Sequence, residues 1–543
     1  MGLAFKSLVI GVTVVAAASI GAQDHAQHQH DEAVPERLGS VSFETSCQPA
    51  TAPAFNRSVA LLHSFAFRRA IEGFEGVLQQ DPACGIAAWG IALATWGNPF
   101  AGVKGPAIVQ KGHDAAARAQ SIGAKTDRER AFIAAVTTLY ADPAGEDHAA
   151  RVNAYAEAMS SLAKTYPEDQ EARIFNALAS LQTASPTDKT YAVQLRAGAV
   201  LEAMFAKAPD HPGLAHYIIH AYDVPPLAPR ALDAARRYAQ IAPSAPHALH
   251  MPSHTFTRVG DWRDSVTSNL ASAAAARAEG ATAEEFHAMD YLAYAYLQLA
   301  QDRAVAALVA KVGDLRKGLA APAAGGSAAP VTAGAFASAA IPARYALERG
   351  DWQAASTITP VEDPFLPAVA LGHFARGLGS ARLGRAEAAR TESAALAAIR
   401  ERLKERDPYW SGQVEIQRQS VDAWIAWADR RKDDAIAAAT AASAAEDATE
   451  KAAVTPGPLA PARELLGEML LEAGRFVDAR RAFESVLTRE PHRFRSEYGA
   501  GLAAERAGDK AGASAHYRAL VSMCDGADQP EREALQHARD FVR

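Results

Sequence analysis

The sequence predicts an all-α protein, an α-solenoid of roughly nine to eleven stacked helical hairpins. Two observations lead to this fold class. Alanine is abundant while aromatic residues make up only 7% of the 543 residues, a composition that suits helices. Short motifs also recur at a spacing of 34 residues in two separate parts of the chain, and a repeat of this length corresponds to one pair of helices.

The clearest repeat lies near the C-terminus. Four of its residues recur 34 positions later, and Pro491 closes the first copy: Gly467, Gly474, Ala479 and Phe483 reappear as Gly501, Gly508, Ala513 and Tyr517. Small residues where two helices cross, an aromatic ring beside them and a closing proline resemble the tetratricopeptide (TPR) pattern. The resemblance implies helical pairs that stack into a superhelix with a concave binding groove.

Elsewhere in the chain the 34-residue pattern is less regular. Gly260-Asp261-Trp262 and Gly350-Asp351-Trp352 each indicate a turn between two helices. The stretch 320–336 is rich in alanine, glycine and proline without an apolar period, which predicts a loop. We therefore expect one TPR-like array over 51–319 and a second over 337–543.

The N-terminus resembles an export signal. Lys6 precedes an uncharged run over 8–20, and small residues follow, so cleavage after Ala22 would remove a signal peptide of residues 1–22. An uncleaved anchor is the alternative. The next segment, 23–50, is predicted to be flexible, and its histidines either bind transition metals loosely or belong to a plain disordered tail. The expected location is the bacterial periplasm or the exterior.

Charge and motifs exclude several classes of function. The net charge is −7, with 55 basic and 62 acidic residues interspersed, so no basic stripe predicts nucleic-acid binding. After the N-terminal run, no stretch is long and apolar enough to predict a membrane span. The sequence has no GxGxxG, Walker loop, GxSxG or CxxC motif. Whether the protein is an enzyme is left open.

Three cysteines are present. In an oxidising compartment Cys47 and Cys84 could form a disulfide across the first helical hairpin, which would leave Cys524 unpaired. Two buried free thiols are the alternative, and spacing alone does not decide between them.

The most informative motif is a pair of histidines four residues apart that occurs twice. His216 and His220 form the first pair, and His250 and His254 form the second, 34 residues later. On a helix, residues i and i+4 lie on the same face. If the two stretches begin equivalent repeats, their helices are neighbours and four imidazoles share one wall.

Two further residues lie on the same helix faces as the histidine pairs. Asp223 follows His216 by seven residues, and His247 precedes His250 by three. The TPR resemblance places all of them at positions that line the concave groove. Neutral imidazoles with a carboxylate suit Zn, Cu, Fe or Ni. The pattern therefore predicts a transition-metal site, although a polar groove for an organic or peptide ligand and plain structural packing are alternatives.

Four more residues are candidates for the groove lining. Trp89 and Trp96 occupy equivalent positions of the second hairpin, but tryptophan also commonly fills a core. Arg258 could pair with Asp223 or bind an anion. His287 could be a further ligand or simply an N-terminal helix residue. The motif HExxH is absent, and Pro252 could disturb the alignment of the second histidine pair.

The sequence therefore predicts an exported TPR-repeat protein with a transition-metal site in its groove. The alternative is a metal-free scaffold that holds a peptide or protein partner in the same groove.

Overall fold

Helices that pair with their neighbours along the chain build this protein. The computed structural model describes residues 36–142, 145, 147–319, 328–529 and 532–543, and no strand occurs in them. Residues 37–543 form one compact unit. The predicted signal peptide and the histidine-rich tract up to residue 35 lie outside the described residues.

The α-helices are numbered in chain order. The first thirteen are α1 (Ala52–His63), α2 (Phe67–Gln80), α3 (Gly85–Trp96), α4 (Pro106–Ile122), α5 (Asp127–Thr138), α6 (His148–Thr165), α7 (Gln170–Leu181), α8 (Ala192–Phe205), α9 (Pro212–Ala221), α10 (Leu232–Ile241), α11 (Pro246–His250), α12 (Pro252–Val259) and α13 (Trp262–Ala278). Short 3-10 helices occur at Pro49–Thr51 and Ala228–Ala231.

The remaining helices follow in the same way. They are α14 (Thr282–Gln298), α15 (Asp302–Gly318), α16 (Val331–Glu348), α17 (Trp352–Ala355), α18 (Leu366–Arg382), α19 (Ala386–Leu403), α20 (Pro408–Ala428), α21 (Lys432–Asp447), α22 (Ala462–Glu472), α23 (Phe476–Arg489), α24 (Phe494–Arg506), α25 (Lys510–Met523) and α26 (Glu533–Val542).

Consecutive helices pack into hairpins, and the hairpins stack. From α1 to α10 each odd-numbered helix packs against the next helix, and α11 and α12 together pack against α13. The pairs α14–α15, α18–α19, α20–α21, α22–α23 and α24–α25 continue the array, so the described residues contain eleven such pairs. Helix α16 is followed by the one-turn α17 in place of a full second helix and packs against α14 and α18, and α26 ends the array. This all-α, TPR-like solenoid confirms the predicted fold class.

The C-terminal repeat shows why the sequence pattern predicts the fold. A Cβ atom on Gly467 would lie 2.9 Å from the ring of Phe483, and one on Gly501 would lie 2.5 Å from the ring of Tyr517. Each glycine therefore lets one helix approach the aromatic ring of the next. Gly474 ends its helix with φ 75°, a conformation that favours glycine.

Two predicted segment boundaries differ from the structure. The predicted loop 320–336 overlaps a helix, because α16 begins at Val331 with Pro330 as its N-cap. Helix α14 packs directly against α16, so the array continues across this loop. The predicted flexible segment 23–50 is anchored where it is described: Phe43 is buried, and the Ser46 backbone N–H donates to Glu129 Oε1 at 2.8 Å.

A disulfide fastens the same segment. Cys47 and Cys84 are joined with an S–S distance of 1.98 Å, and Cys84 is the N-cap of α3. The disulfide therefore ties the start of the described chain to the second hairpin. Cys524 is a buried free thiol.

The last repeats pack back against the middle of the chain. Trp262 Nε1 donates to the carbonyl oxygen of His492 at 2.8 Å, and Arg532 pairs with Asp302. The loop between α21 and α22, residues 448–461, reaches helices of the first half in the same way. We call it the α21–α22 loop. Among the described helices, none combines the length and apolarity that crossing a bilayer requires.

Candidate metal centre

Helices α9 and α11 bring three histidines together. Pro212 begins α9 at a position where its missing N–H costs nothing, and the helix then places His216 and His220 one turn apart on one face. His247 comes from α11. The Nε2 atom of His216 lies 3.0 Å from that of His220 and 3.1 Å from that of His247. We call these three residues cluster 1.

A second group of three follows directly. His250 ends α11, His254 lies in α12, and His287 comes from α14. The Nε2 atoms of His250 and His254 are 3.1 Å apart, and the ring centroids of His250 and His287 are 4.4 Å apart. We call these residues cluster 2. The helix is interrupted between α11 and α12 at Met251, where Pro252 begins the new segment, yet the two rings still converge.

The two clusters are neighbours within one site. The ring centroids of His247 and His250 are 6.2 Å apart, and those of His220 and His254 are 6.4 Å apart. The sequence predicted the four histidines of the two pairs as one set, with His247 in support. The structure instead divides them between two groups and adds one further histidine to each, His247 and His287.

The outward ring nitrogens of three histidines are anchored by hydrogen bonds. His216 Nδ1 donates to the carbonyl oxygen of His63 at 2.6 Å, and His250 Nδ1 donates to Asn269 Oδ1 at 2.7 Å. His254 Nδ1 donates to Asp223 Oδ2 at 2.9 Å. A proton on Nδ1 leaves the Nε2 lone pair free to bind a metal, and such partners orient the ligands of metal sites.

Burial keeps the imidazoles neutral. Five of the six are buried, and His220 is partly exposed. Burial lowers the pKa of His216 and His287 to about 3, and it lowers the pKa of His254 although Asp223 opposes that shift. It also lowers the pKa of His220, His247 and His250 well below the usual value. No proton therefore has to leave these rings before a metal binds near neutral pH.

Asp223 lies behind cluster 2 rather than inside either cluster. Its carboxylate accepts from Arg258 Nε at 2.8 Å, Lys451 Nζ at 3.2 Å and His254 Nδ1. Burial alone would raise the pKa of Asp223, but Lys451, Arg258 and His254 together lower it well below its usual range. The sequence proposed Asp223 as a ligand, whereas the structure makes it the partner that orients His254 and neutralises two cations.

Aromatic rings enclose cluster 1. The ring of Phe100 stacks on His220 with centroids 4.3 Å apart, and that of Tyr238 stacks on His216 at 5.2 Å. The Phe65 ring lies 4.4 Å from His216 and 5.2 Å from His247. Phe65 has φ 54°, in the left-handed region that costs a bulky residue energy. The surrounding contacts hold it there.

The two tryptophans do not line an open groove. Trp89 is fully buried with its ring centroid 5.4 Å from that of Phe43 and 5.2 Å from that of Phe132. Trp96 is buried and stacks on His148. Helix α3 is apolar on almost every side and is covered by its neighbours, which is why both rings belong to the core.

Several residues of the site were missed from the sequence. Glu171 accepts from His63 Nε2 at 2.8 Å and from His211 Nε2 at 2.9 Å, and all three are buried. His63 also offers its carbonyl to His216. Burial would raise the pKa of Glu171, but the two histidines lower it to about 2. Asn269 and Lys451 were missed as well, since no local pattern marks Asn269 and Lys451 lies far from the histidine motifs in sequence.

One further cluster, which contains two cysteines, is excluded as a metal site. Cys47, Asp81 and Cys84 lie close together, but both cysteine sulfurs are used in the disulfide. Histidine nitrogens are therefore the donors that the described residues offer most densely.

Comparison with known proteins adds little beyond the fold. No family model matches the chain, and no curated protein matches it. Solved structures with similar helical arrangements include yeast Tom70, which is 10% identical with a TM-score of 0.29 over 90% of this chain and 88% of that chain. The Cut9 component of APC/C Cut9-Hcn1 is similar at 12% identity and a TM-score of 0.33 over 90% of each chain. A monomeric mutant of IFIT1 with Gppp-AAAA is similar at 10% identity and a TM-score of 0.33, over 80% of this chain and 90% of that chain. Similarities at this level support no argument about function.

Proposed function

We propose that this TPR-like solenoid binds two transition-metal ions as a buried pair. One ion would be held by cluster 1 and the other by cluster 2. Each cluster supplies three imidazole nitrogens, a ligand set that Zn, Cu, Fe and Ni all accept.

The contact between His250 and His254 carries this proposal. Asn269 Oδ1 and Asp223 Oδ2 can only accept, so each ring has its proton on Nδ1. The orientation of the Asn269 amide is fixed because its Nδ2 donates to the Ser265 carbonyl at 2.8 Å. Both Nε2 atoms are then unprotonated and carry a lone pair, yet they face each other at 3.1 Å.

Two lone pairs at that distance repel unless a cation lies between them. A proton could bridge them only if one ring became positively charged. Burial disfavours that charge on His254 more than Asp223 favours it, and the nearby cations Lys451 and Arg258 disfavour it further. A metal ion that accepts both lone pairs removes the conflict.

Charge also bears on the identity of the metal. Six neutral imidazoles would surround two buried cations, and the nearby carboxylate of Asp223 is already shared by Arg258 and Lys451. Uncompensated buried charge is costly. Copper can bind as the monovalent ion and so halves the charge, which makes it the metal we favour. Three ligands per ion would leave an open position, which would permit hydrolytic or redox chemistry.

We also propose that the protein is exported to the periplasm or secreted. The predicted signal peptide 1–22 and the Cys47–Cys84 disulfide support this, since disulfides persist in oxidising compartments. Fractionation of cells that make the full chain should recover protein lacking the first 22 residues outside the cytoplasm. Full-length protein in the membrane fraction would instead support the uncleaved anchor.

Metal analysis of untagged protein tests the main proposal. We expect a His216→Ala/His220→Ala variant and a His250→Ala/His254→Ala variant each to lose one ion per chain, and the fourfold variant to lose both. His492→Ala is the control, because that side chain is 55% exposed and lies outside both clusters. The N-terminal histidines are common to all variants, so differences between variants report the clusters alone.

Retention of all metal by the fourfold variant would sink the proposal, provided that its circular dichroism remains helical. A metal-free wild type after loading with Cu(I), Zn²⁺, Fe²⁺ and Ni²⁺ in turn would do the same. The metal-free scaffold would then be the better interpretation. A partner peptide would have to bind elsewhere on the solenoid or displace the α21–α22 loop, because the clusters lie beneath it.

A further inference from the structure

A small cavity adjoins cluster 2 on the far side of Lys451. It has a volume of about 90 Å³ and is lined by α16, α18, α20 and the α21–α22 loop. Arg258 and Lys451 belong both to its wall and to the network around Asp223. Tyr291 of α14 links the α21–α22 loop to cluster 2, since its OH donates to the Thr455 carbonyl and lies 3.3 Å from His254 Nδ1.

One wall of the cavity is apolar and aromatic. Phe336, Leu371 and Phe374 are buried there, and the ring centroids of Phe336 and Trp410 are 5.6 Å apart. A dry cavity of about 150 Å³ can hold benzene. At about 90 Å³ this cavity is smaller than that, but it is partly open, so a single ring fits only with one edge in the opening and nothing larger fits.

The opposite wall has polar atoms without hydrogen-bond partners. Gln417 Oε1 and Glu450 Oε2 are buried, and in the described part of the chain neither makes a hydrogen bond. Arg489 lies 3.8 Å from Glu450 Oε2, and the other oxygen of this carboxylate pairs with Lys189. Lys451 Nζ has Asp223 as a hydrogen-bond partner at 3.2 Å and no other among the described residues, although an ammonium has three donors.

These unused groups define the chemistry of a ligand. A hydroxyl is the smallest organic group that can both accept from an ammonium and donate to an amide or carboxylate oxygen. A carboxylate would have no proton to donate and would face Glu450, whereas an ammonium would face Lys451 and Arg258. We propose that this cavity binds a small phenol, with its ring on the aromatic wall and its hydroxyl between Lys451 and Gln417.

The purpose of this site rests on the proposed function, because the cavity would hold its ligand beside the metal of cluster 2. The binding step does not require the metal. It can therefore be measured in metal-free full-length protein, where failure of the metal proposal has no influence on the result.

The test is a calorimetric titration of metal-free protein with phenol, benzoate and benzylamine. We expect phenol to bind at least about tenfold more tightly than either charged analogue. Gln417→Leu and Lys451→Met should each weaken phenol binding about fivefold to tenfold, the usual effect of losing one hydrogen bond. Lys104→Met is the matched control, because Lys104 is also a partly buried lysine but lies outside this cavity.

Gln417→Leu keeps the proposal testable if Lys451→Met fails to fold, since Gln417 makes no contact with the Asp223 network. Absence of phenol binding to folded protein would overturn the proposal. Equal affinity for phenol and benzoate, or equal loss in the Lys104 control, would overturn it as well. Phenol binding without metal uptake would leave this site standing and sink the metal pair alone.

Discussion

Clusters 1 and 2 contain the same donor atoms in different surroundings. Cluster 1 is packed among the rings of Phe65, Phe100 and Tyr238, and His216 is anchored by a main-chain carbonyl. Cluster 2 is anchored by two side chains, Asn269 and Asp223, and it adjoins cations and a cavity.

In the proposed metal pair, the two clusters would have different roles. A backbone carbonyl has a fixed position and cannot be lost by substitution, so cluster 1 is a rigid, enclosed ligand set. Side-chain anchors can be replaced or displaced, so cluster 2 can be tuned and lies where a further ligand could arrive. We expect substitutions of the side-chain anchors Asn269 and Asp223 to act mainly on cluster 2. Substitutions of the aromatic rings packed around cluster 1 should act mainly on cluster 1.

Asp223→Asn should have the largest effect. It leaves Arg258 and Lys451 buried without their carboxylate and should lower the free energy of unfolding by about 3–5 kcal/mol. Metal affinity at cluster 2 should fall about 10- to 100-fold, because His254 loses its orienting partner. Urea unfolding of metal-free protein and competition with a chelator measure the two effects. Asp233→Asn, at an exposed ion pair, is the control. An equal loss of metal affinity at both clusters would contradict the expectation that Asp223 acts mainly on cluster 2.

Phe65→Ala should act on the other cluster. Removing this buried ring should lower the free energy of unfolding by about 3 kcal/mol, because it leaves a void beside His216 and His247. Cluster 1 should then bind its metal more weakly while cluster 2 is unaffected. Phe67→Ala is the matched control, since Phe67 is similarly buried but contacts the ring of Phe65 rather than a histidine. Weaker metal binding in the Phe67 variant too would mean that stability alone explains the result.

Asn269→Leu should have a smaller and more local effect. It removes the acceptor of His250 Nδ1, so cluster 2 should lose about 10- to 100-fold in metal affinity with little change at cluster 1. Asn269→Asp keeps an acceptor at the same place and should bind metal about as tightly as the wild type. Chelator competition distinguishes the two variants, and equal losses in both would argue against an orienting role.

His287→Gln sharpens the comparison through pH. Burial lowers the pKa of His287 to about 3 in the folded protein, so below the ordinary histidine pKa only the unfolded state takes up a proton. Stability of the metal-free protein therefore falls as the pH drops below about 6.5. Between pH 7 and pH 6, the free energy of unfolding of the variant should fall by about 0.5–1 kcal/mol less than that of the wild type.

His516→Gln is the control of opposite sign. The hydrogen bond that His516 Nδ1 donates to Glu497 raises the pKa of His516, so its contribution to stability is present at low pH and is lost as the pH rises through the folded pKa. Urea unfolding at several pH values measures both variants. A shift in the same direction for both would show that the burial of His287 is not the cause.

The fold was predictable because its signal is local. Small residues and an aromatic ring at a 34-residue spacing mark helix crossings, as Gly467 and Phe483 show. The histidine pairs also predicted which side of α9 and of α11–α12 carries the donors, since i and i+4 share a helix face.

The division into two clusters was not predictable. It depends on how α11 and α14 rotate when they pack, which decides that His247 joins one group and His287 the other. Phe65 could not be recognised, because its φ of 54° is set by tertiary contacts. Lys451 lies 228 residues from Asp223, so no sequence pattern connects them.

The α21–α22 loop has a consequence for the order of events during synthesis. Lys451 and Thr455 can contact Asp223 and Tyr291, two neighbours of His254, only after the chain has been made as far as this loop and the loop has packed. Until then, a nascent chain presents bare imidazoles to whichever ion is most abundant. In the proposed metal pair, selection among ions could therefore begin only once this loop has packed.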